Sequence, residues 1–482
     1  MSYTLNKEQE DISKEIFNFI IKDTNKKNDY IAITGPAGSG KSYLINYIID
    51  NVINNKYKAF CKVTNSNPIY CNNTYVTAST NKAVANLRES GLDADTIFKA
   101  LNIFVVEEYG ENRTYLNDCK ARYITDSVII IDECSMLNIE AMSTINKHFN
   151  RCKVIFIGDK YQLPPVNGVC DIFDKVPTLA LTTIMRSIKS QPISELVTLL
   201  REYVISGYLK PIKIEPGVID YITKDNLKPI LKNYFSNTSN SVDCRIGTYT
   251  NKRCNQYISE VNEANNKDII NINDVIYDAK DLSQYTVVAV PTICNSYIFT
   301  RSCVKDRLFN RDYSYSRSLN NYVSPSTLYR IHDQINSFIE DFLNKNEYRL
   351  IIVRDKINAI HFKKGIFLKN YSSVKTLKKS LKKIPLLLPP PLDTAGLEKE
   401  YYKFIDELIN EIFQDYRPVF CSTLHKLQGT TLNTVVVDLD DLKTCRNRKI
   451  FSRLLYVGAT RAKERVIFTG SAPTIQECLL NY

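Results

Sequence analysis

Tryptophan is absent from this 482-residue chain, and histidine occurs only four times. The first absence leaves any stacking on flat ring systems to the 31 tyrosines and 20 phenylalanines. His148, His332, His361 and His425 are spread too widely to propose a metal cluster. The thirteen cysteines are scattered, odd in number and include no C-x-x-C pair. They exclude a disulfide scaffold or a zinc site as the organising device and are expected to be reduced thiols. No apolar run approaches the length of a membrane span. The opening Met1-Ser2-Tyr3-Thr4-Leu5-Asn6-Lys7-Glu8 lacks the basic-then-apolar pattern of a secretory signal. A soluble, intracellular protein without a membrane partner is the expectation. Acidic residues are the minority charge, 52 against 63 basic, and the formal net charge of +11 favours a polyanionic partner. At this length one small core is excluded, and about two to four domains are expected.

What is present begins with Tyr30-Ile31-Ala32-Ile33-Thr34-Gly35-Pro36-Ala37-Gly38-Ser39-Gly40-Lys41-Ser42. A β-branched run enters a glycine-rich turn, and an amphipathic run from Tyr43 to Ile53 leaves it. Strand, loop and helix in that order make the phosphate-binding pattern G-x-x-x-x-G-K-[ST]. Gly35, Gly38 and Gly40 let backbone N–H groups approach a triphosphate, with Pro36, Ala37 and Ser39 completing the loop. Lys41 can reach the β- and γ-phosphates, Ser42 can ligate Mg²⁺, and the helix N-terminus adds its positive end. ATP or GTP binding is the expectation, against the blander reading of a chance glycine turn.

Upstream, Leu5-Asn6-Lys7-Glu8-Gln9 opens a helical pattern through Ile12, Ile16, Phe17 and Ile20. Downstream, Tyr75 to Ala78 reads as a strand running into a helix through Ser79-Thr80-Asn81-Lys82. Hydroxyls and a lysine at a strand end suit phosphate contacts, although a capped helix start would look the same. Ser127-Val128-Ile129-Ile130-Ile131-Asp132-Glu133 is a buried strand delivering two carboxylates at its C-terminal end, where α/β sheets place ligands. Asp132 suits Mg²⁺ and Glu133 suits activation of the attacking water. Val154-Ile155-Phe156-Ile157-Gly158-Asp159-Lys160-Tyr161-Gln162 repeats the logic, with Gln162 placed to sense a γ-phosphate.

Together these stretches resemble superfamily 1 helicases of the RecD, Dda and Pif type, with the layout of the phage Dda branch. The resemblance continues through Leu181-Thr182-Thr183-Ile184-Met185-Arg186-Ser187 and Tyr249-Thr250-Asn251-Lys252. It closes with Ser422-Thr423-Leu424-His425-Lys426-Leu427-Gln428-Gly429-Thr430 and Leu455-Tyr456-Val457-Gly458-Ala459-Thr460-Arg461-Ala462. It covers roughly residues 5–262 and 416–482. Two places depart from the family: Ser79 stands where proline is common, and Thr96-Ile97-Phe98 where Thr-Ile-His is common.

The resemblance implies an α/β fold of two RecA-like domains with parallel sheets, ATP bound between them, and 5′→3′ movement on single-stranded DNA with unwinding of forked duplex. It implies that Gln9 pairs with adenine, that Arg186 and Arg461 reach the transferring phosphoryl group, and that Thr80, Lys82, Thr250, Asn251, Thr423 and His425 contact DNA. In the residues themselves, Arg461 follows an apolar run read as a strand, and each arginine taken alone is more often a surface charge. The hairpin signal Tyr109-Gly110-Glu111-Asn112, flanked by Phe104–Glu108 and Arg113–Leu116, marks an insertion over 102–120. The family carries its duplex-splitting pin there, which makes Tyr109 the candidate strand separator.

The expected division is 1–185 for the first RecA-like domain, 186–262 and 416–482 for the second, and 263–415 for an insertion. The family places an SH3-like element in that insertion, but no motif in these residues secures it. Lys363 to Lys383 carries eight lysines and no acidic residue. It reads as a solvated face, a duplex-binding patch or a localisation tract. The prolines from Pro385 to Pro391 suggest a linker, and helical periodicity resumes from Leu397 to Phe413. An RNA helicase of the same superfamily, a hydrolysis-dead nucleic-acid scaffold and a P-loop kinase are the rival readings. A monomer is the expected functional unit, with replication, recombination or repair proteins as the partners such an activity would meet.

Overall fold

A computed structural model describes residues 3–22, 27–67, 70, 73–107, 114–165, 168–185, 191–235, 243–264, 270–278, 284–310, 324–355, 362–368, 373–384 and 395–480. The chain divides into two compact units. The first comprises Met1–Tyr234, Asp243–Ile258 and Phe420–Tyr482; the second comprises Phe235–Val242 and Ser259–Val419.

Two large parallel sheets occur in the first unit. One is built from β1 (Asn28–Thr34), β2 (Thr74–Ala78), β3 (Ala94–Thr96), β4 (Val128–Asp132), β5 (Cys152–Gly158) and β6 (Thr178–Ala180), in the order β6-β1-β5-β4-β2-β3. Every residue of β4 and β5 is buried, as expected of central parallel strands covered on both faces. Each large aliphatic side chain so buried contributes about 1.5–3 kcal/mol. The helix α1 (Lys7–Ile21) starts at a capping box in which the Asn6 side chain and Gln9 satisfy each other's backbone N–H groups. Its apolar residues Ile12, Ile16 and Ile20, four apart, are all buried. Helices α2 (Lys41–Tyr47) and α3 (Asn81–Glu89) follow β1 and β2. The strands Phe104–Glu107 and Thr114–Asn117 pair antiparallel, with Phe104 opposite Asn117, so the insertion in the first sheet's domain is a hairpin.

The second sheet comprises β7 (Ile219–Thr223), β8 (Cys244–Thr248), β9 (Cys421–Thr423), β10 (Leu432–Asp438) and β11 (Ala462–Gly470), in the order β7-β11-β10-β8-β9 and again parallel. Helices α4 (Gln191–Ser206) and α5 (Arg448–Arg461) pack in one core with it. Here the structure corrects one reading. Leu454 to Val457 lies inside α5 and not in a strand, and Arg461 is the last residue of that helix. The apolar run reflects burial of this stretch on all sides of the helix, which a four-residue window cannot distinguish from a strand.

The second unit is a five-stranded antiparallel sheet in the order Phe362–Leu368, Tyr348–Asp355, Gln284–Ala289, Val275–Asp278, Tyr416–Pro418. Helices Ile293–Phe309, Pro325–Asn344, Val374–Leu381 and Ala395–Ile412 build a core of their own with it. Ser324 caps the second of these, and Leu328, Ile331, Ile335, Ile339 and Leu343 line its buried face. Among the described residues no helix is long and apolar enough to cross a membrane.

Candidate functional site

The turn after β1 is set by Gly38 and Gly40, whose φ angles of +84° and +80° are left-handed. A Cβ on Gly40 would lie 2.7 Å from Gln9 Nε2, so the missing side chain is what seats Gln9 against the loop. The Gln9 side chain is buried, and its oxygen accepts from the Asn6 N–H at 3.2 Å. Lys41 Nζ donates to Gly35 O at 2.8 Å and to Pro36 O at 2.9 Å, which holds the ammonium inside the turn. Ser39 Oγ is buried without a hydrogen-bond partner, while Ser42 is exposed on the first turn of α2. The loop is braced from the segment after β6. Met185 N–H donates to Gly38 O at 2.8 Å, and the Glu8 carboxylate accepts from the N–H groups of Thr182 (2.9 Å) and Thr183 (3.1 Å). Arg186, next in the chain, lies outside the described residues, as does Tyr109 at the hairpin turn.

Asp132 ends β4 beside this loop. Its Oδ1 accepts from the Glu133 N–H at 2.9 Å. Burial, then the Glu133 charge, push the Asp132 carboxyl up to about 7, and the Lys41 ammonium partly opposes them. Glu133 adopts φ +50°, a left-handed conformation that costs a non-glycine residue about 1–2 kcal/mol. Ser79 Oγ donates to the Glu133 carbonyl at 2.7 Å, while Glu133 Oε2 is buried with no partner. Gln162 Oε1 is likewise buried and unpartnered, and its Nε2 donates to Asp159 Oδ2 at 3.3 Å. Ser39 Oγ, Glu133 Oε2 and Gln162 Oε1, on three residues the sequence singled out, are thus buried polar atoms with no partner.

The second sheet reaches this edge through α5. Tyr456 Oη donates to Asp159 Oδ2 at 2.8 Å, and Arg453 donates to the carbonyls of Lys160 (3.1 Å) and Gln162. Arg461 is buried, and its guanidinium donates to Thr430 O at 3.1 Å, Val457 O at 3.2 Å and Thr460 Oγ1 at 2.9 Å. Its charge is thus held at the α5 C-terminus, where the helix dipole favours a cation.

The residues read as strand contacts lie at the start of α3 and at the ends of β8 and β9. Thr80 caps α3 by accepting from the Ala83 N–H at 3.2 Å. Asn86 Nδ2 on the same helix donates to Gly429 O at 2.8 Å, next to Lys82. Burial and the Arg245 charge push the Lys82 ammonium below its ordinary value. Thr423 is buried at the start of the helix that carries His425, whose ring lies 6.1 Å from Tyr249 between centroids. Burial also lowers the His425 imidazole. Thr250 is engaged internally: Asp441 accepts from the N–H groups of Tyr249 (2.6 Å) and Thr250 (2.8 Å) and from the Thr250 hydroxyl (2.7 Å). Asn251 opens the following helix and is exposed.

Two family models match in the order of this geometry: an AAA domain over residues 4–209 and a UvrD-like helicase C-terminal domain over residues 418–469. Three relatives are similar along nearly the whole chain. An uncharacterized protein of Acanthamoeba polyphaga mimivirus is 24% identical over 96% of this chain and 99% of its own. The RecBCD enzyme subunit RecD of Buchnera aphidicola subsp. Schizaphis graminum is 26% identical over 94% of this chain and 72% of its own. The ATP-dependent DNA helicase dda of Enterobacteria phage T4 is 24% identical over 94% of this chain and 98% of its own. The chain is thus similar, along nearly its whole length, to superfamily 1B helicases of the RecD and Dda type.

Within this site, Glu8, Asn86, Asp159, Arg453, Tyr456 and Asp441 carry contacts that the sequence reading did not single out. Asp159 and Tyr456 stand inside quoted motifs, but their partnership joins positions 297 apart and leaves no local signal. Asp441, in a run of ordinary acidic residues, becomes visible only when the loop at Tyr249 folds against it.

Proposed function

We propose that this chain hydrolyses ATP to move 5′→3′ along single-stranded DNA and to unwind the duplex it meets. One observation supports this above the others: the loop of Gln162 is held by Arg453 and Tyr456 of the second sheet. A group reading the γ-phosphate is thereby tied to the element whose displacement would grip or release a strand. In this reading residues 1–185 are the first RecA-like domain, 186–262 with 416–482 the second, and 263–415 an insertion.

The residues fit nucleotide and Mg²⁺. Ser42 and Asp132 offer the hard oxygen ligands Mg²⁺ prefers, and the unpartnered Ser39 Oγ, Glu133 Oε2 and Gln162 Oε1 are polar groups suited to a phosphate and its attacking water. Mg²⁺ held by Ser42 and Asp132 would neutralise charge on the triphosphate. Lys41 turns from the Gly35 and Pro36 carbonyls to the phosphates, and the N–H groups of Gly38, Gly40, Lys41 and Ser42 cradle them. Gln9 pairs with the adenine edge through its donor and acceptor. Glu133 orients the attacking water and takes its proton. Arg186 and Arg461 supply cationic charge at the transferring group, Arg461 by leaving its carbonyl partners as the sheets close. Thr80, Lys82, Thr250, Asn251, Thr423 and His425 hold the strand by its backbone, so affinity is salt-sensitive and largely sequence-independent. Tyr109 stacks on the last base pair of the fork, where aromatic stacking is worth about 1–3 kcal/mol per base.

The test is ATPase stimulation by single-stranded DNA and by RNA of matched length. Stimulation by DNA is the expected result. Preference for RNA would move the chain to RNA unwinding, and turnover that neither polymer raises would contradict a translocating motor.

A further inference from the structure

The eight lysines from Lys363 to Lys383 are sorted by their surroundings. Lys363 Nζ donates to Tyr285 Oη at 2.6 Å, and the Lys364 ammonium lies 5.2 Å from the centre of the Phe299 ring. Lys378 donates to Asn410 Oδ1 at 3.0 Å and lies 3.5 Å from the Asp406 carboxylate, whose other oxygen Lys382 reaches at 2.7 Å. Those four are committed to the unit's own packing, and Lys369 lies outside the described residues. Lys375, Lys379 and Lys383 remain, all exposed and in no ion pair among the described residues.

These three share one side of the helix Val374–Leu381 and the turn that closes it. Val374, Leu377 and Leu381 occupy the buried side. Lys375 and Lys379 are about one turn apart, so their Cα atoms stand roughly 6 Å apart along the axis, and Lys383 continues the row. Three like charges in a row repel one another, and no acidic residue between 363 and 383 offsets them. The exposed side carries Thr376 but no aromatic ring. Single-strand sites combine charge with aromatic platforms, whereas a row of cations without rings suits the regularly spaced phosphates of a duplex.

We propose that Lys375, Lys379 and Lys383 form a binding site for the phosphate backbone of duplex nucleic acid on the second unit. The site gives the enzyme a grip on double-stranded DNA separate from the strand contacts of the first unit. The inference rests on the DNA-binding reading above.

The test uses the full chain with K375Q/K379Q/K383Q, measuring affinity for blunt duplex and for single-stranded DNA over a salt series. Each duplex phosphate neutralised contributes about −0.9 to the slope of log affinity on log salt. The triple variant should therefore bind duplex with a slope shallower by about 2–3, while its single-strand slope and its ATPase at saturating single strand stay as in the unmodified chain. The charge-keeping K375R/K379R/K383R should retain the full duplex slope. K378Q/K382Q, which removes the partners of Asp406, should lower thermal stability and leave both slopes alone. An unchanged duplex slope in the glutamine variant overturns the site, and so does a loss confined to single-stranded DNA. A lowered melting temperature with unchanged slopes overturns it too, and would make the row a complement to the helix C-terminus. If the unmodified chain binds neither DNA, the DNA-binding reading itself has failed, and that outcome is separate from the others.

Discussion

The Tyr456 hydroxyl lies 2.8 Å from the buried Asp159 carboxylate and donates to it, joining the second parallel sheet to the loop that follows a central strand of the first. Asp159 also accepts from the Tyr161 N–H at 3.0 Å and from Gln162 Nε2 at 3.3 Å. One carboxylate thus holds both the proposed phosphate sensor and the helix that ends at Arg461. A hydrogen bond to a charged group contributes about 1.5–3 kcal/mol. Tyr456→Phe should lower unfolding free energy in a denaturant titration by that amount. It should also lower the turnover rate by roughly tenfold, equivalent to about 1.4 kcal/mol, with a smaller effect on the ATP concentration for half-maximal rate. Full activity at reduced stability would show that the bond is structural only.

Hydrolysis separates from binding at the end of β4. Glu133→Gln removes the base and little volume, so nucleotide binding should persist while turnover falls by roughly 10²–10⁴. Lys41→Ala should lose phosphate affinity and turnover together. Fluorescent-nucleotide binding and phosphate release on the same preparations check both, and Glu133→Gln turning over at the unmodified rate would refute the assignment of the base.

Much of this was legible in the chain because the nucleotide motifs are local. The Gly35–Ser42 loop and the buried strand before Asp132 each announce themselves within a dozen residues. Contacts between distant segments do not. Tyr456 with Asp159, Asn86 with Gly429 and Asp441 with Tyr249 become visible only after folding. The α5 run at Leu454–Val457 misled because full burial erases the period that separates helix from strand. The second unit was opaque for another reason. Among its described residues, no motif in the helices and strands dictates a pairing order.

Proton occupancy of Asp132 should gate Mg²⁺. Burial and the Glu133 charge raise this carboxyl to about 7, so its proton is retained well above the ordinary carboxylate range. Stability associated with that proton is fully present below the unfolded value near 4 and is lost as pH rises through about 7. A metal ligand must shed the proton, so Mg²⁺-dependent nucleotide binding should strengthen over the same rise. The thermal shift produced by Mg²⁺ and ATP should be larger at pH 8 than at pH 6. In Asp132→Asn only the nucleotide's own pH dependence should remain. An equal pH response in the two proteins would place the titration elsewhere.

Asp441 positions the loop at Tyr249 and Thr250. Asp441→Ala strips three donors of their acceptor. The concentration of single-stranded DNA giving half-maximal ATPase should rise severalfold, while the rate at saturating DNA changes little. A fall in the saturated rate with unchanged DNA dependence would assign Asp441 to the chemistry of hydrolysis instead.

Directional unwinding tests the central claim most directly. Two duplexes of the same sequence, one with only a 5′ single-stranded tail and one with only a 3′ tail, are incubated with the protein, Mg²⁺ and ATP, and strand separation is followed. The expected result is ATP-dependent separation of the 5′-tailed duplex, abolished by Lys41→Ala, with little separation of the 3′-tailed one. Separation of the 3′-tailed substrate alone would contradict the proposed direction, and separation of neither, from a preparation that hydrolyses ATP, would contradict the helicase reading.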